Sequence, residues 1–207
     1  MVGEGKNHKK PLLILDCDEV ILEFAGPFAR WLREARNVEL RYESYALLGN
    51  MRFVDSGALV PREQLWELLA EFFSEGQPMQ TPVAGVLDAI EAVQSDCELV
   101  VLTNVPEVGK AAREQRLQEL GLMCPVVINS GAKGRKVQQL AQGRKALFVD
   151  DAPSHHESVA HHAPEVRRLH MVASDVLRPL IPAAEHAHAR HDQWTDALPW
   201  LQDWLRN

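Results

Sequence analysis

Residues 12–21 read LLILDCDEVI, four apolar side chains closing abruptly on Asp16, Cys17 and Asp18. A run of that length ending in two acids one residue apart reads as a buried parallel strand that carries carboxylates to its C-terminal rim. That rim is where open α/β sheets hold ligands. Alternation puts Asp16 and Asp18 on the same side of an extended chain, where two like charges favour one protonated and one ionised carboxyl. One of the pair is suited to attack and the other to moving protons. Cys17 points to the opposite face, into the core, and no arginine stands six residues beyond any of the cysteines, which excludes a cysteine-based phosphotransfer site.

Downstream, the strand and helix rhythm breaks and then resumes. Phe28, Trp31 and Leu32 mark a helix over Pro27 to Arg36, and Leu65, Leu68, Leu69 and Phe72 mark a second from Pro61. Trp66 and Phe73 lie on a neighbouring face of that second helix, so it is either buried between two elements or turns one of these rings to a substrate cleft. Tyr42 to Gly57 has no period and reads as loop or short helical pieces. From Thr81 the alternation is regular. A helical stripe runs from Val83 to Val93, and a strand from Glu98 ends at Thr103 and Asn104. A helix from Pro106 stops at Gly121. Pro125 to Ile128 is a short strand leading to the Gly131 to Gly134 turn and a helix through Ala141. The strand Ala146 to Val149 ends at Asp150 and Asp151. A helix from Pro153 to His162, a strand from Val166 to Met171 and a terminal helix carrying Leu198, Leu201 and Leu205 follow.

Five short strands separated by helices predict an α/β fold, a doubly wound parallel Rossmann-like sheet, with a small α-helical cap inserted after the first strand. The expected division is a mobile tail over 1–10, a core of 11–21 and 82–207, and the insert over 22–81. Right-handed crossovers put all strand C-termini on one edge, so Asp16, Thr103, Asn104, Asp150 and Asp151 converge.

The 207 residues are enough for one sizeable core, and 46% hydrophobic with 25% charged residues is ordinary for a globular chain. A net charge of −7 argues against a general binder of nucleic acid or anionic membrane. Three scattered cysteines suit reduced thiols. With no signal-peptide pattern and no stretch near the roughly 20 apolar residues of a membrane span, the expected setting is cytoplasmic. GAKGRK lacks the spacing of a nucleotide-binding phosphate loop. Four of the nine histidines, His155, His156, His161 and His162, are not at zinc-ligand spacing, and His186, His188 and His191 fall in a polar connection where solvated side chains are expected.

Four acids at strand ends make a hard, oxygen-rich site that suits Mg²⁺ better than zinc. Thr103, Asn104 and a lysine in a glycine-flanked turn add donors for a phosphoryl group. That inventory fits phosphoryl transfer through an aspartyl-phosphate.

In order and type, LLILDCDEV, LVVLTN, GAKGRK and ALFVDD resemble the four motifs of the haloacid dehalogenase-like superfamily of hydrolases. The resemblance implies that Asp16 is the nucleophile and a Mg²⁺ ligand. It implies that Asp18 is the general acid and base, with its backbone carbonyl on the metal. Thr103 and the backbone N–H of Asn104 would hold the phosphoryl oxygens, and Asp150 and Asp151 would complete the metal site. Lys133 and Lys136 compete to neutralise the phosphate, with Lys133, just before Gly134, the favoured one. An aspartate at position 18 fits members that cleave phosphomonoesters, because an alcohol leaving group needs a proton.

The implied activity is hydrolysis of a small phosphorylated metabolite under a cap of the family's first class. The alternatives are a phosphomutase, or a non-catalytic member that binds a phosphorylated ligand or a protein. Arg30, Arg33, Tyr42 and Arg52 are the candidates for reading the rest of the substrate. His155 stands where relatives often carry Asn or Asp, and is expected to tune the site. Oligomeric state is not legible.

Overall fold

The structure is a computed structural model that describes residues 9–207, so most of the tail expected over 1–10 lies outside the described residues. β1 (Leu12–Leu15) is buried along its whole length, as an all-aliphatic strand covered on both faces must be. The chain then turns tightly, with Glu19 at a left-handed φ of 62° and the N–H groups of Ile21 and Leu22 both donating to the Cys17 carbonyl at 2.8 Å.

α1 (Ala25–Arg36) has no capping side chain at Phe24. The Glu19 carboxylate replaces it from upstream, accepting the N–H of Phe24 at 3.0 Å and of Ala25 at 2.6 Å, two donors that a helix start otherwise leaves orphaned. β2 (Val38–Leu40) and β3 (Met51–Phe53) pair as an antiparallel ribbon, and α2 (Arg62–Glu71) continues through a wide turn at Phe72–Gly76 and a tight one at Gln77–Met79. β3 departs from the loop or short helical pieces expected between Tyr42 and Gly57. Three-residue strands are too short to show a period. The connection between them is set by Asn50, whose Nδ2 donates to the carbonyls of Ser44 at 2.8 Å and Ala46 at 2.7 Å.

The regular half follows the expected order: α3 (Val86–Val93), β4 (Glu98–Thr103), α4 (Lys110–Glu119), β5 (Val126–Ile128), α5 (Gly134–Ala141), β6 (Ala146–Asp150), α6 (Pro153–His162) and β7 (Arg167–His170). It ends with β8 (Ala189–Arg190) and α7 (Trp194–Arg206). The sheet has six strands in the order β5-β4-β1-β6-β7-β8, and every pair is parallel. The sixth strand was hidden in the polar connection. His188 leads into it, accepting the Arg168 N–H on Nδ1 at 3.1 Å while its backbone N–H donates to the Arg168 carbonyl at 2.9 Å.

Alternation splits the sheet core in two. Leu13, Leu15, Val101, Leu147 and Val149 pack with α3 and α7 on one face; Leu12, Ile14, Val100, Leu102 and Phe148 pack with α5 and α6 on the other. Phe28, Trp31, Leu65, Phe72 and Phe73 form a separate core in the inserted segment. Its entry and exit run side by side, with Glu23 N–H donating to Thr81 O at 2.8 Å and Val83 N–H to Ile21 O at 2.9 Å. Among the described residues no helix is long and apolar enough to cross a membrane.

α5 lies so close to α6 that a Cβ on Gly134 would overlap the Ser158 carbonyl. The Gly134 N–H donates to Ser158 Oγ at 3.1 Å. Gly134→Ala should therefore destabilise the protein by about 1–3 kcal/mol through overpacking, read as a lower urea midpoint at unchanged slope.

Candidate active site

Neighbouring strands β4, β1 and β6 end together and bring Thr103, Asp16 and Asp150 to one rim. Lys133, at the start of α5, reaches into it. Its ammonium is wholly buried, 2.6 Å from Asp16 Oδ1 and 2.7 Å from Asp150 Oδ2. Asp16 Oδ1 also accepts the Cys17 N–H at 2.7 Å, and Asp150 Oδ1 the Ala152 N–H at 2.9 Å. Lys136, one turn further along, is half-buried and takes no part in this cluster.

Asp16, Asp150 and Asp151 each place a carboxylate oxygen within 4.8 Å of the others. Burial pushes Asp16 up to about 7, with repulsion from Asp150 and Asp18 adding to it and Lys133 opposing. Burial also lifts Asp151 well above its ordinary range, and Asp150, Asp16 and Glu19 lift it further. Burial alone would raise Asp150 too, but the Lys133 ammonium beside it outweighs burial and holds that carboxyl low. The same two carboxylates, Asp150 and Asp16, overcome burial at Lys133 and keep its proton on. Three acids against one lysine crowd hard oxygen donors that repel one another when ionised, which is part of why Asp16 and Asp151 are raised, and such a set fits a divalent cation of the Mg²⁺ type.

Two histidines hold the acidic pair from behind. His156 Nε2 lies 2.9 Å from the Asp150 carbonyl, and His170 Nε2 lies 2.9 Å from the Asp151 carbonyl. His170 Nδ1 accepts the Ala184 N–H at 3.2 Å, which leaves its proton on Nε2 to donate to Asp151. Burial drives His156 down to about 4, so it too is neutral. Among the described residues no histidine joins a cluster with metal-ligand geometry. Cys17 is buried as expected, and burial pushes its thiol up to about 12.

A cleft of about 200 Å³ opens over this rim, lined by Asp16, Asp18, Phe24, Phe73, Asn104, Lys133 and His155. The rings of Phe24 and Phe73 stack with centroids 5.7 Å apart and form its apolar wall. Of the two rings singled out on the second helix, Phe73 is the one at the cleft; Trp66 is 60% exposed and away from it. Arg30, Arg33 and Arg52 are exposed, and the Tyr42 hydroxyl donates to the Ala25 carbonyl at 3.0 Å; none lines the cleft. Thr103 is fully buried beneath the rim with its hydroxyl toward the Val105 N–H, and Asn104 is braced by Asn129 and the Gly131 carbonyl. A larger cavity of 490 Å³ lies beyond the 19–23 linker. It lacks the clustered carboxylates, and its Arg178 is paired with Asp175 and Asp192.

Asp18 lines the cleft but stands outside the three-carboxylate cluster. Its oxygens accept from Arg113 Nη2 at 3.0 and 3.1 Å, and Oδ1 also accepts from Gln80 Nε2 at 2.8 Å. Neither partner was anticipated. The signal for Arg113 was its place in the helix phase, four residues before the buried Leu117, where an apolar side chain belongs.

Removing Lys133 leaves two buried carboxylates unpaired, which should cost about 3–5 kcal/mol; Lys136→Ala should stay within about 0.5 kcal/mol of wild type, both by urea unfolding. For His156, folded and unfolded chains are both neutral above its ordinary pKa of 6.5. As pH falls toward 4 only the unfolded chain takes up the proton, so the wild type loses stability across that window. His156→Gln keeps a donor without the titration. Its stability should fall less than wild type between those limits; parallel slopes would contradict the assignment.

No protein-family model matches the chain, and no curated protein matches it in sequence. Solved structures do. YfnB from Bacillus subtilis, a HAD-hydrolase by inference and bound to magnesium, is 15% identical with a TM-score of 0.66 over 93% of this chain and 99% of its own. A predicted phosphoglycolate phosphatase from Haemophilus somnus is 14% identical with a TM-score of 0.64 over 96% of this chain and all of its own. A Thermotoga maritima protein, assigned by inference as a beta-phosphoglucomutase, is 17% identical with a TM-score of 0.60 over 93% of this chain and 99% of its own. What identities this low carry is architecture: the chain has the fold of solved haloacid dehalogenase-like hydrolases, the fold that the four strand-end motifs imply.

Proposed function

We propose that the chain is a Mg²⁺-dependent phosphohydrolase acting on small phosphomonoesters through an aspartyl-phosphate on Asp16. The observation that carries this reading is Lys133, buried between Asp16 and Asp150 at the floor of an open cleft beside Asp151. Asp16, Asp150, Asp151 and the backbone carbonyl of Asp18 are the groups that would hold Mg²⁺. Bound there, the cation neutralises phosphoryl charge and orients the ester.

The protein's own groups then divide the work. Asp16 Oδ1 is engaged by Lys133 and the Cys17 N–H, so attack on phosphorus falls to Oδ2. As the ester P–O bond breaks, Asp18 gives its proton to the leaving alkoxide. Asp18 then takes a proton from the water that attacks the aspartyl-phosphate, and inorganic phosphate departs. Thr103, the Asn104 N–H and Lys133 hold the phosphoryl oxygens. The inserted segment, residues 22–81, acts as the cap, its Phe24 and Phe73 excluding bulk water from the cleft. A cleft of about 200 Å³ suits a phosphoryl group on a small organic fragment, and three free cysteines suit a reducing cytoplasmic setting.

Phosphate release from a panel of small monoesters should require Mg²⁺ and vanish in Asp16→Asn. Asp18→Asn should lower turnover by about 10²–10⁴-fold. Wild-type rates in the Asp16 variant would remove the nucleophile, and a diphosphorylated product in place of phosphate would point to mutase chemistry.

A further inference from the structure

The proton-transfer carboxylate of this reading is held by a residue that lies nowhere in the four motifs. Arg113 is fully buried in α4, and three constraints fix its guanidinium. Nη2 spans both oxygens of Asp18 at 3.0 and 3.1 Å. Nε donates to Gln77 Oε1 at 2.8 Å. The guanidinium carbon sits 5.3 Å from the centre of the Phe73 ring. Gln77 is itself locked, because its Nε2 donates to the carbonyls of Phe73 at 2.6 Å and Gly109 at 2.7 Å, which leaves only Oε1 to face Arg113.

Gln80 completes the arrangement from the exit of the inserted segment. Its amide donates to Asp18 at 2.8 Å and to the Glu23 carbonyl at 3.0 Å, tying both linkers to one carboxylate. Its backbone carbonyl accepts from Arg116 Nη2 at 2.8 Å. The edge of Asp18 left uncovered by these partners faces the cleft.

Stability alone is a poor account of a buried arginine. A buried ion pair often contributes no more than a well-packed apolar substitute, and the helix phase of Arg113 beside Leu117 and Phe73 would accept one. A planar guanidinium does what no apolar side chain can: it fixes the rotation of a carboxylate.

We propose that Arg113 is the positioning residue for Asp18, orienting the carboxyl that protonates the leaving group, with Gln77 making that orientation depend on the seated exit of the inserted segment. The inference rests on the phosphohydrolase reading and adds to it a group outside the motifs. In the step concerned, the alkoxide oxygen leaving phosphorus gains the proton of Asp18 and Asp18 becomes a carboxylate. Arg113 exchanges no proton and touches no substrate.

Leaving-group dependence separates this from a purely structural role. p-Nitrophenolate leaves without help, whereas an alkoxide needs the proton. Single-turnover cleavage reads formation of the aspartyl-phosphate apart from its hydrolysis, and is to be measured for p-nitrophenyl phosphate and for the alkyl monoester that wild type cleaves fastest. Arg113→Met should slow the alkyl ester by about 100-fold and p-nitrophenyl phosphate by less than about 5-fold, with Arg113→Lys regaining part of the difference. Gln77→Leu keeps the arginine but frees its Nε, and should show the same bias at smaller size. It decides the matter if Arg113→Met does not fold by circular dichroism. Equal losses on both esters in folded variants, or none, would overturn the positioning role and leave the phosphohydrolase reading intact. A wild type that cleaves neither ester, indistinguishable from Asp16→Asn, would overturn that reading and this inference with it.

Discussion

Everything at the rim is arranged around one buried ammonium. Lys133 is sealed from water between two carboxylates, a placement that is unfavourable unless geometry and further hydrogen bonds compensate for lost hydration. The compensation is spread over the fold. β1 and β6 lie side by side and deliver Asp16 and Asp150; the Cys17 and Ala152 N–H groups take their other contacts; and the glycine-tight approach of α5 to α6 sets the height of the lysine. A site built this way is held by backbone register more than by any local loop.

The acidic side of the rim has its own support. Asp150 and Asp151 are adjacent, and their mutual repulsion is one reason Asp151 is lifted so far. His156 and His170 fasten the two backbone carbonyls, so the pair cannot relax apart. Both rings are neutral donors because burial disfavours their charged forms. His156, whose spacing does not suit a zinc site, thus serves together with His170 as an uncharged strut. The crowded carboxyls they help to confine are what a divalent cation would answer.

The sheet and the rim were legible because their signals are local. An apolar run closing on acids appears twice, at Leu12 to Asp16 and at Ala146 to Asp150, and each strand end carries its own chemistry. The ribbon of the inserted segment and β8 were not legible, since strands of three and two residues show no period and depend on Asn50 and on the Arg168–His188 exchange. Arg113, Gln77 and Gln80 were missed for another reason. Each acts on Asp18 from tens of residues away, and nothing in a single sequence ties an arginine in one helix to a carboxylate after another strand. Only its apolar phase beside Leu117 was a trace.

The inserted segment is joined to the rim by more than its linkers. Glu19, three residues beyond Asp16, caps α1 with its side chain, so the turn after β1 and the first helix of the insert share one carboxylate. Burial pushes that group up to about 7, which marks how closely it is enclosed. On the other linker, Gln80 bonds both Asp18 and the Glu23 carbonyl. Phe73 then forms part of the cleft wall while its carbonyl holds Gln77. Any displacement of this segment must therefore disturb the wall, the helix start and the grip on Asp18 together. On the proposed reading, a segment coupled in this way would test substrate fit by the position of a carboxylate and so control the proton transfer, while Asp16 and Lys133 are anchored in the sheet.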